Sequence, residues 1–512
     1  MPQKQNKLTV MYSDNLKKVY KLFFAIQIIC FLYIFFLAAT SAYQNNDWVA
    51  PISLGIVLSA IYIEHQMGYI RQVLFKICGS VSEKCFVILL FIAFAVMLLF
   101  SILLRVNLSW DYGQIIVSAY EWAKNGEIQN IAYYARYSNN QLMLWLMAHY
   151  FKFVLYFFPA GSIEFCKAAT YPVNCFFIVL SMYITYQTAK LCFDKKKAIA
   201  VGLACLTCSP LYLYSTFAYT DTLGLLPLGC IFYFYLQFKM TNASKRWIWL
   251  SLCFLISCFG FCLKATIGIA LVAIVIDFFV TYLKFQKAYF YVCVIFLLLL
   301  CCVCYGGYSA ISESLSSFTN ITAEEYDAYK FPSTHWIMMA LNKTGGYIQD
   351  DVNYTCGYTT FEEKKAANIS VIKERLRERD VLGTFNHIIY TKWQRTWAYS
   401  TCAADDYIRR DPTEQTFLHE IFLPKGKWYC IYALYATCWW LVLLLGIVLS
   451  AVKGLKNKSK LFVFHLTIFG ILLFLSFWEC NSRYLVLFLP TMILLSIDGL
   501  VAENFYQDRN NV

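Results

Sequence analysis

Apolar stretches near or above the roughly 20 residues needed to cross a bilayer's hydrocarbon recur along the whole chain. They begin near residues 20, 50, 84, 164, 198, 221, 247, 265, 288, 428, 459 and 482. The runs are continuous, so they predict helices; strands would need closed pairing to span. Two further stretches read as helices of another kind. Residues 140–158 place Gln141, Trp145, His149, Lys152 and Tyr156 on one stripe at spacings of three or four, with leucine, methionine and phenylalanine elsewhere. Residues 112–123 put Ile115, Ile116, Ala119, Tyr120 and Ala123 on one side, and Gln114, Ser118 and Glu121 on the other. Such patterning predicts helices lying in the membrane interface rather than crossing it.

The lysines and arginines fall in short loops between the runs: Lys17, Lys18 and Lys21; Arg71, Lys76 and Lys84; Lys190 and Lys195 to Lys197; Lys239, Lys245 and Arg246; Lys284 and Lys287; Lys453 to Lys460. Orientation in a membrane explains the net charge of +12 better than a nucleic-acid partner does. With these loops inside, the count is consistent only if residues 140–158 do not cross. The prediction is then twelve spans with both termini cytoplasmic, and with Asp111 and Asp221 on the outer face. The first run follows three lysines and lacks a small-residue cleavage site, which predicts an anchor. Composition agrees: 60% of the 512 residues are hydrophobic, 19% aromatic and 14% charged, and the mean hydropathy is +0.53, far from soluble domains.

The predicted fold class is an all-α multi-spanning membrane protein of about twelve transmembrane helices, with in-plane amphipathic helices and one large extracytoplasmic loop. Residues 1–83 form an extra helical hairpin, 84–308 a transmembrane core with a first outer loop at 107–162, 309–427 the large outer loop, and 428–512 the last spans. The large loop has low apolar content, which predicts a lid leaning on the membrane part; residues 362–380, with alternating charge, are its clearest helix. Most of the 21 cysteines lie in apolar runs, where a thiol is a small hydrophobe. Cys356 and Cys402 lie in the large loop and can pair in an oxidising compartment. The sequons at Asn320, Asn342, Asn353 and Asn368 matter only in a eukaryotic secretory pathway.

Four constellations carry candidate chemistry. In Trp110-Asp111-Tyr112, Asp111 either caps the helix that follows or, as a poorly solvated carboxylate among aromatics, takes a proton from a hydroxyl. Asp221, in Tyr219-Thr220-Asp221-Thr222, offers the same choice between cap and site. The two acids can share a polar group of a substrate, or a divalent cation, between them; no other metal site is predicted. Tyr133-Tyr134-Ala135-Arg136-Tyr137-Ser138-Asn139-Asn140 offers a guanidinium and amides to a phosphate, against the plainer reading of an interface belt with Arg136 snorkelling to headgroups. Last come His335, in Phe331-Pro332-Ser333-Thr334-His335-Trp336, and Glu479 with Arg483, in Trp478-Glu479-Cys480-Asn481-Ser482-Arg483-Tyr484. A lone histidine is more often structural than catalytic, and Glu479 and Arg483, four apart, can simply pair.

Taken in order, these residues resemble the GT-C glycosyltransferases, multi-spanning enzymes that take a sugar from a polyprenyl-phosphate carrier. The layout is similar to the bacterial cell-envelope members, in particular the protein O-mannosyltransferase and aminoarabinose transferase branches. It departs from them twice. Asp111 is followed by Tyr112 rather than by a second acid, and Arg136-Tyr137-Ser138 stands where one branch has lysine-proline-proline. The resemblance implies an inverting transfer to an acceptor hydroxyl on an envelope polymer, glycolipid or protein. Asp111 is the implied base and Asp221 the orienting acid; Arg136 and Arg483 would sit on the leaving phosphate, and Tyr134, Asn139, Asn140, His335 and Glu479 around the substrates. It also implies a location in a bacterial plasma membrane. A lipid-linked substrate transporter or flippase, a polysaccharide polymerase and a non-enzymatic scaffold are the rival classes.

Overall fold

The computed structural model describes residues 2–41, 48–241, 245–282, 287–456 and 459–501. Helices make up the architecture; among the described residues the β pairing is confined to an isolated antiparallel bridge between Val106 and Pro412. Nine described helices are long and apolar enough to cross a membrane: Lys17–Thr40, Val49–Met67, Glu83–Leu103, Ile163–Cys192, Thr220–Met240, Arg246–Leu263, Leu297–Thr319, Tyr429–Lys456 and Ser482–Leu500. A tenth crossing arises if Lys195–Leu206 and Ser209–Thr216, bent by 51°, form one broken span, and Ala265–Thr281 and Phe462–Phe477 are shorter apolar helices. Each of the twelve apolar runs therefore meets a helix or the bent pair.

The broken span has a visible cause. Pro210 sits in the first turn of the second half, and the carbonyls freed at its end, Tyr214 and Ser215, accept from Asn174 Nδ2 of a neighbouring span at 3.1 and 2.8 Å. A break in the ladder at membrane depth is tolerable when a neighbour satisfies it in this way. Where Tyr429–Lys456 meets the last helix, the backbones nearly touch: a Cβ on Gly499 would lie 1.9 Å from the Gly446 carbonyl oxygen, the small-residue packing expected without a hydrophobic drive between helices. The first helix belongs to this bundle. Gln27 Nε2 donates to the His465 carbonyl at 3.4 Å, and the Phe31 and Trp397 rings lie 5.4 Å apart.

The bundle has two chemically distinct ends. At one, basic loops are stitched together by Lys190–Glu83 at 3.0 Å, Lys197–Asp498 at 2.8 Å and Lys239–Asp277 at 2.7 Å, and the Ser459 amide donates to the Tyr20 hydroxyl at 2.6 Å. At the other end lie Asp111, Asp221 and the large loop. The in-plane candidates form helices Trp110–Asn125 and Gln141–Phe157, packed against each other, and neither is among the membrane spans. On the second, Trp145, His149, Lys152 and Tyr156 are exposed while Leu144, Met147, Ala148 and Phe151 are buried. Gln141 departs from the predicted stripe: it is buried and donates to the Tyr134 carbonyl at 3.1 Å. Ser118, expected on the polar side, is buried too, because the segment 126–136 folds back over that face.

The helix Lys287–Thr319 carries the chain beyond the boundary predicted at residue 309. The loop that follows is built of short helices joined by turns, with one long helix. Its longest helix, Phe361–Asn386, begins at a capping box between Thr360 and Glu363 and breaks at Asp380 (φ 56°), the residue at which the charge alternation ends. The loop leans on the bundle: the Cys480 amide donates to the Gly345 carbonyl at 2.9 Å, Lys392 Nζ to the Trp478 carbonyl at 2.7 Å, and Trp393 Nε1 to Ser476 at 2.8 Å. Cys356 and Cys402 are unpaired here, the first exposed and the second buried. Asn342 and Asn368 are buried and hydrogen-bonded, which leaves no room for a glycan on either in this fold.

Candidate functional site

Asp111 is set in place by a tight turn. The helix Glu83–Leu103 ends, the chain runs extended to Ser109, and Trp110 takes φ +45°, a strained value for a bulky residue. Gly113 permits the turn, since a Cβ there would lie 2.5 Å from the Leu108 carbonyl carbon. Asp111 is not the helix cap the sequence suggested: Ser109 holds that position, and Asp111 falls in the first turn. Its carboxylate turns to hydroxyls instead. Tyr133 donates to Oδ1 at 2.7 Å, and the Tyr219 hydroxyl lies 3.4 Å from Oδ2. Tyr219 is closer to Asn140 Oδ1, at 3.0 Å, and with one proton to give it leaves Oδ2 the less engaged oxygen. Asn140 also donates to the Tyr133 hydroxyl at 2.7 Å. Burial, reinforced by the Asp111 charge, pushes the Tyr133 phenol well above its ordinary range, so it stays a donor.

Asp221 is likewise not a cap; Tyr219 precedes its helix in that role, and Asp221 sits in the first turn, almost completely buried. Its Oδ1 is in close contact with Lys264 Nζ. Its Oδ2 faces Arg483 Nε at 3.6 Å, too long for a hydrogen bond, and neither atom has another partner. The Arg483 guanidinium lies in an aromatic cage, 4.9 Å from Trp110, 5.4 Å from Tyr219, 4.8 Å from Tyr407 and 5.6 Å from Tyr484. Trp110 and Tyr219 are also the neighbours of Asp111, so the two acids belong to one cluster. Two cations against Asp221 leave one positive charge over, facing the Asp111 carboxylate across shared rings.

The other predicted residues divide. Asn139 donates to Asn140 at 3.2 Å. Glu479 joins through Tyr484, whose hydroxyl donates to it at 2.6 Å and whose ring lies 5.5 Å from Lys264 Nζ; burial pushes the Glu479 carboxyl up. The plainer alternative, a Glu479–Arg483 pair, does not form: Glu479 precedes extended Asn481, and the 3₁₀-helix that carries Arg483 begins only at Ser482, so the two are not i and i+4 of one helix. Tyr134 is buried behind the cluster and donates to the Gln114 carbonyl at 3.2 Å. Arg136 points elsewhere, 5.1 Å over the Phe331 ring. His335 is fully buried, its Nδ1 2.8 Å from the Thr355 hydroxyl, which is the structural role. Among the described residues no group of three or more His, Cys, Asp or Glu side chains gathers as a metal site, and Asp221 is engaged by cationic side chains.

A family model described as "Conserved hypothetical integral membrane protein" matches residues 8–503. The chain belongs to that family. No curated protein matches it. Among solved structures, ArnT from Cupriavidus metallidurans bound to undecaprenyl phosphate aligns over 82% of this chain and 78% of that one, at 14% identity and a TM-score of 0.33. The apo state of the same protein aligns over 81% and 77%, at 14% identity and 0.32. Likeness at that level decides nothing about activity.

In this integral membrane protein the site holds residues the sequence reading passed over. Lys264 is a lone cation between two apolar runs, and an ionisable residue at such a place is a functional candidate by default; that signal was present in the sequence. Tyr407 arrives from the large loop and had no signal. His335 gives a testable pH effect. Burial lowers its pKa from 6.5 to about 4, so the unfolded chain binds the proton first. The stability contributed by the neutral imidazole is complete above about pH 6.5 and is lost as pH falls towards 4. Melting of wild type and His335→Gln in detergent at pH 7 and pH 5 reads this: the wild-type advantage is expected to shrink at pH 5.

Proposed function

We propose that the chain is an inverting glycosyltransferase of GT-C type, moving a sugar from a polyprenyl-phosphate carrier to an acceptor hydroxyl at the end of the bundle opposite the basic loops. The observation that carries this reading is the Asp111 carboxylate, one oxygen held by Tyr133 and the other less engaged, beside the Asp221–Lys264–Arg483 group. Asp111 Oδ2 takes the proton of the acceptor hydroxyl. The acceptor oxygen then forms a bond to the anomeric carbon as the bond to the phosphate oxygen breaks on the opposite face, and the electron pair leaves with the polyprenyl phosphate. Arg483 and Lys264 stabilise the charge that grows there, fixed in place before the reaction and so free of reorganisation cost. Asp221 holds both cations.

Sidedness follows from the same reading. Basic loops mark the cytoplasmic side, which puts both termini inside and the site on the outer face, where a lipid-linked sugar presents its phosphate. No nucleotide-binding loop is needed. Lipid extracts from cells lacking the protein test the proposal: one polyprenyl-phosphate sugar is expected to accumulate while one glycan, glycolipid or glycoprotein loses that sugar. Unchanged lipid-linked sugars and unchanged envelope glycans would overturn it.

A further inference from the structure

Arg136 and Lys364 meet away from the Asp111–Asp221 cluster. Both line a cavity of about 250 Å³, together with Phe331, Cys356, Tyr358 and Thr359, where the short helix Ile131–Arg136 packs against the loop helix Ala323–Tyr329. Lys364 is 1% exposed. Its ammonium donates to the backbone carbonyls of Ala328 and, at 3.4 Å, Asp327; among the described residues no carboxylate pairs with it. The Arg136 Nε is buried without a hydrogen-bond partner.

Asp327 and Glu363 act on Lys364 through space, but the oxygens of the nearby acids have other hydrogen-bond partners. Glu363 accepts from the Thr359 hydroxyl at 2.8 Å and the Thr360 amide at 3.0 Å, closing the helix cap. Asp327 accepts from the Phe361 amide at 3.4 Å, and Asp351 is bound by Arg375 at 2.6 Å. Two cations therefore line one chamber, one of them buried, and among the described residues neither is in ion-pair contact with a carboxylate. An unpaired buried charge is costly unless something satisfies it.

We propose that this chamber is a second anion-binding site, holding a phosphate-type oxyanion between the Arg136 guanidinium and the Lys364 ammonium. The volume exceeds a single phosphate, which fits a headgroup or a phosphorylated saccharide. The site is independent of whether the protein transfers sugar.

Cys356, exposed, unpaired and part of the chamber wall, reports on it directly. In the full-length protein in neutral detergent, Cys356 is labelled with an anionic sulfonatoethyl or a cationic trimethylammonioethyl methanethiosulfonate and followed by peptide mass spectrometry. The anionic reagent is expected to react about tenfold faster or more, and millimolar inorganic pyrophosphate is expected to slow it. Arg136→Gln and Lys364→Met should each lower the preference. Should Lys364→Met misfold, Ala328→Glu, at an exposed position on the rim, introduces a competing carboxylate and should lower it as well.

Nanodiscs separate the two sources of the anion. Slowed labelling in phosphatidylglycerol but not phosphatidylcholine discs assigns the site to a lipid headgroup; slowing by pyrophosphate alone assigns it to a soluble phosphate. Equal rates for both reagents in the wild type, with no protection by pyrophosphate or phosphatidylglycerol, would overturn the proposal.

Discussion

Asp111→Asn is expected to lower sugar transfer by about 10²–10⁴-fold, the usual contribution of a positioned general base, while leaving the protein folded. The replacement keeps the size of the side chain and an oxygen for Tyr133, which donates to Oδ1 at 2.7 Å, so packing is preserved. What is lost is the ability of the second oxygen to take a proton. Tyr133→Phe makes the useful comparison. It leaves the base but removes the hydroxyl that orients it, and frees Asn140 Nδ2, now 2.7 Å from that hydroxyl; a smaller loss, about tenfold, is expected for a positioning group. Transfer is measured in membranes supplied with the lipid-linked sugar that accumulates in the deletion strain, with elution from a sizing column as the check on folding. Undiminished transfer by Asp111→Asn would remove the catalytic reading and favour a scaffold or transporter.

The spans and the two ends of the bundle were legible because both rest on one-dimensional signals. Apolar length marks a crossing, and lysine position marks a side; the ion pairs Lys190–Glu83 and Lys197–Asp498 at the basic end are those lysines in three dimensions. Asp111 and Asp221 were legible for a related reason: an acid at the end of an apolar run has few places to go. Sequence neighbourhood was less reliable inside the site. Arg136 follows Tyr133 by three residues, in the same motif. The chain turns between them, however, so that Tyr133 reaches Asp111 while Arg136 reaches Phe331. Glu479 and Arg483 do not pair because the i, i+4 rule holds within one α-helix, whereas Glu479 precedes extended Asn481 and the helix that carries Arg483 is 3₁₀ and begins only at Ser482. Tyr407 illustrates the deeper limit. Its place over Arg483 depends on how a loop segment with left-handed Cys402 and Ala403 folds back against Tyr214, which donates to the Cys402 carbonyl at 2.7 Å, and no local pattern encodes that.

Lys264→Met is expected to destabilise the protein by roughly 3–5 kcal/mol, the range found when one partner of a buried ion pair is removed. Asp221 would be left with Arg483 alone, at 3.6 Å and without a hydrogen bond. Asp221→Asn should be at least as damaging, because Lys264 and Arg483 would then repel each other in a site where both side chains are about nine-tenths buried or more. Combining Asp221→Asn with Lys264→Met removes one charge of each sign and should recover much of the stability lost by either alone, a coupling that a double-mutant cycle isolates. Activity should behave differently. If the pair served only to hold helices together, the double variant would regain transfer along with its melting temperature. If Lys264 and Arg483 stabilise a departing phosphate, the double variant regains stability and stays inactive, since one of the two cations is gone and Arg483 has lost the carboxylate that aims it. Melting in detergent and transfer in membranes, measured on the same four proteins, separate the two: single variants as stable as wild type would refute the buried pair, and a fully active double variant would confine it to structure.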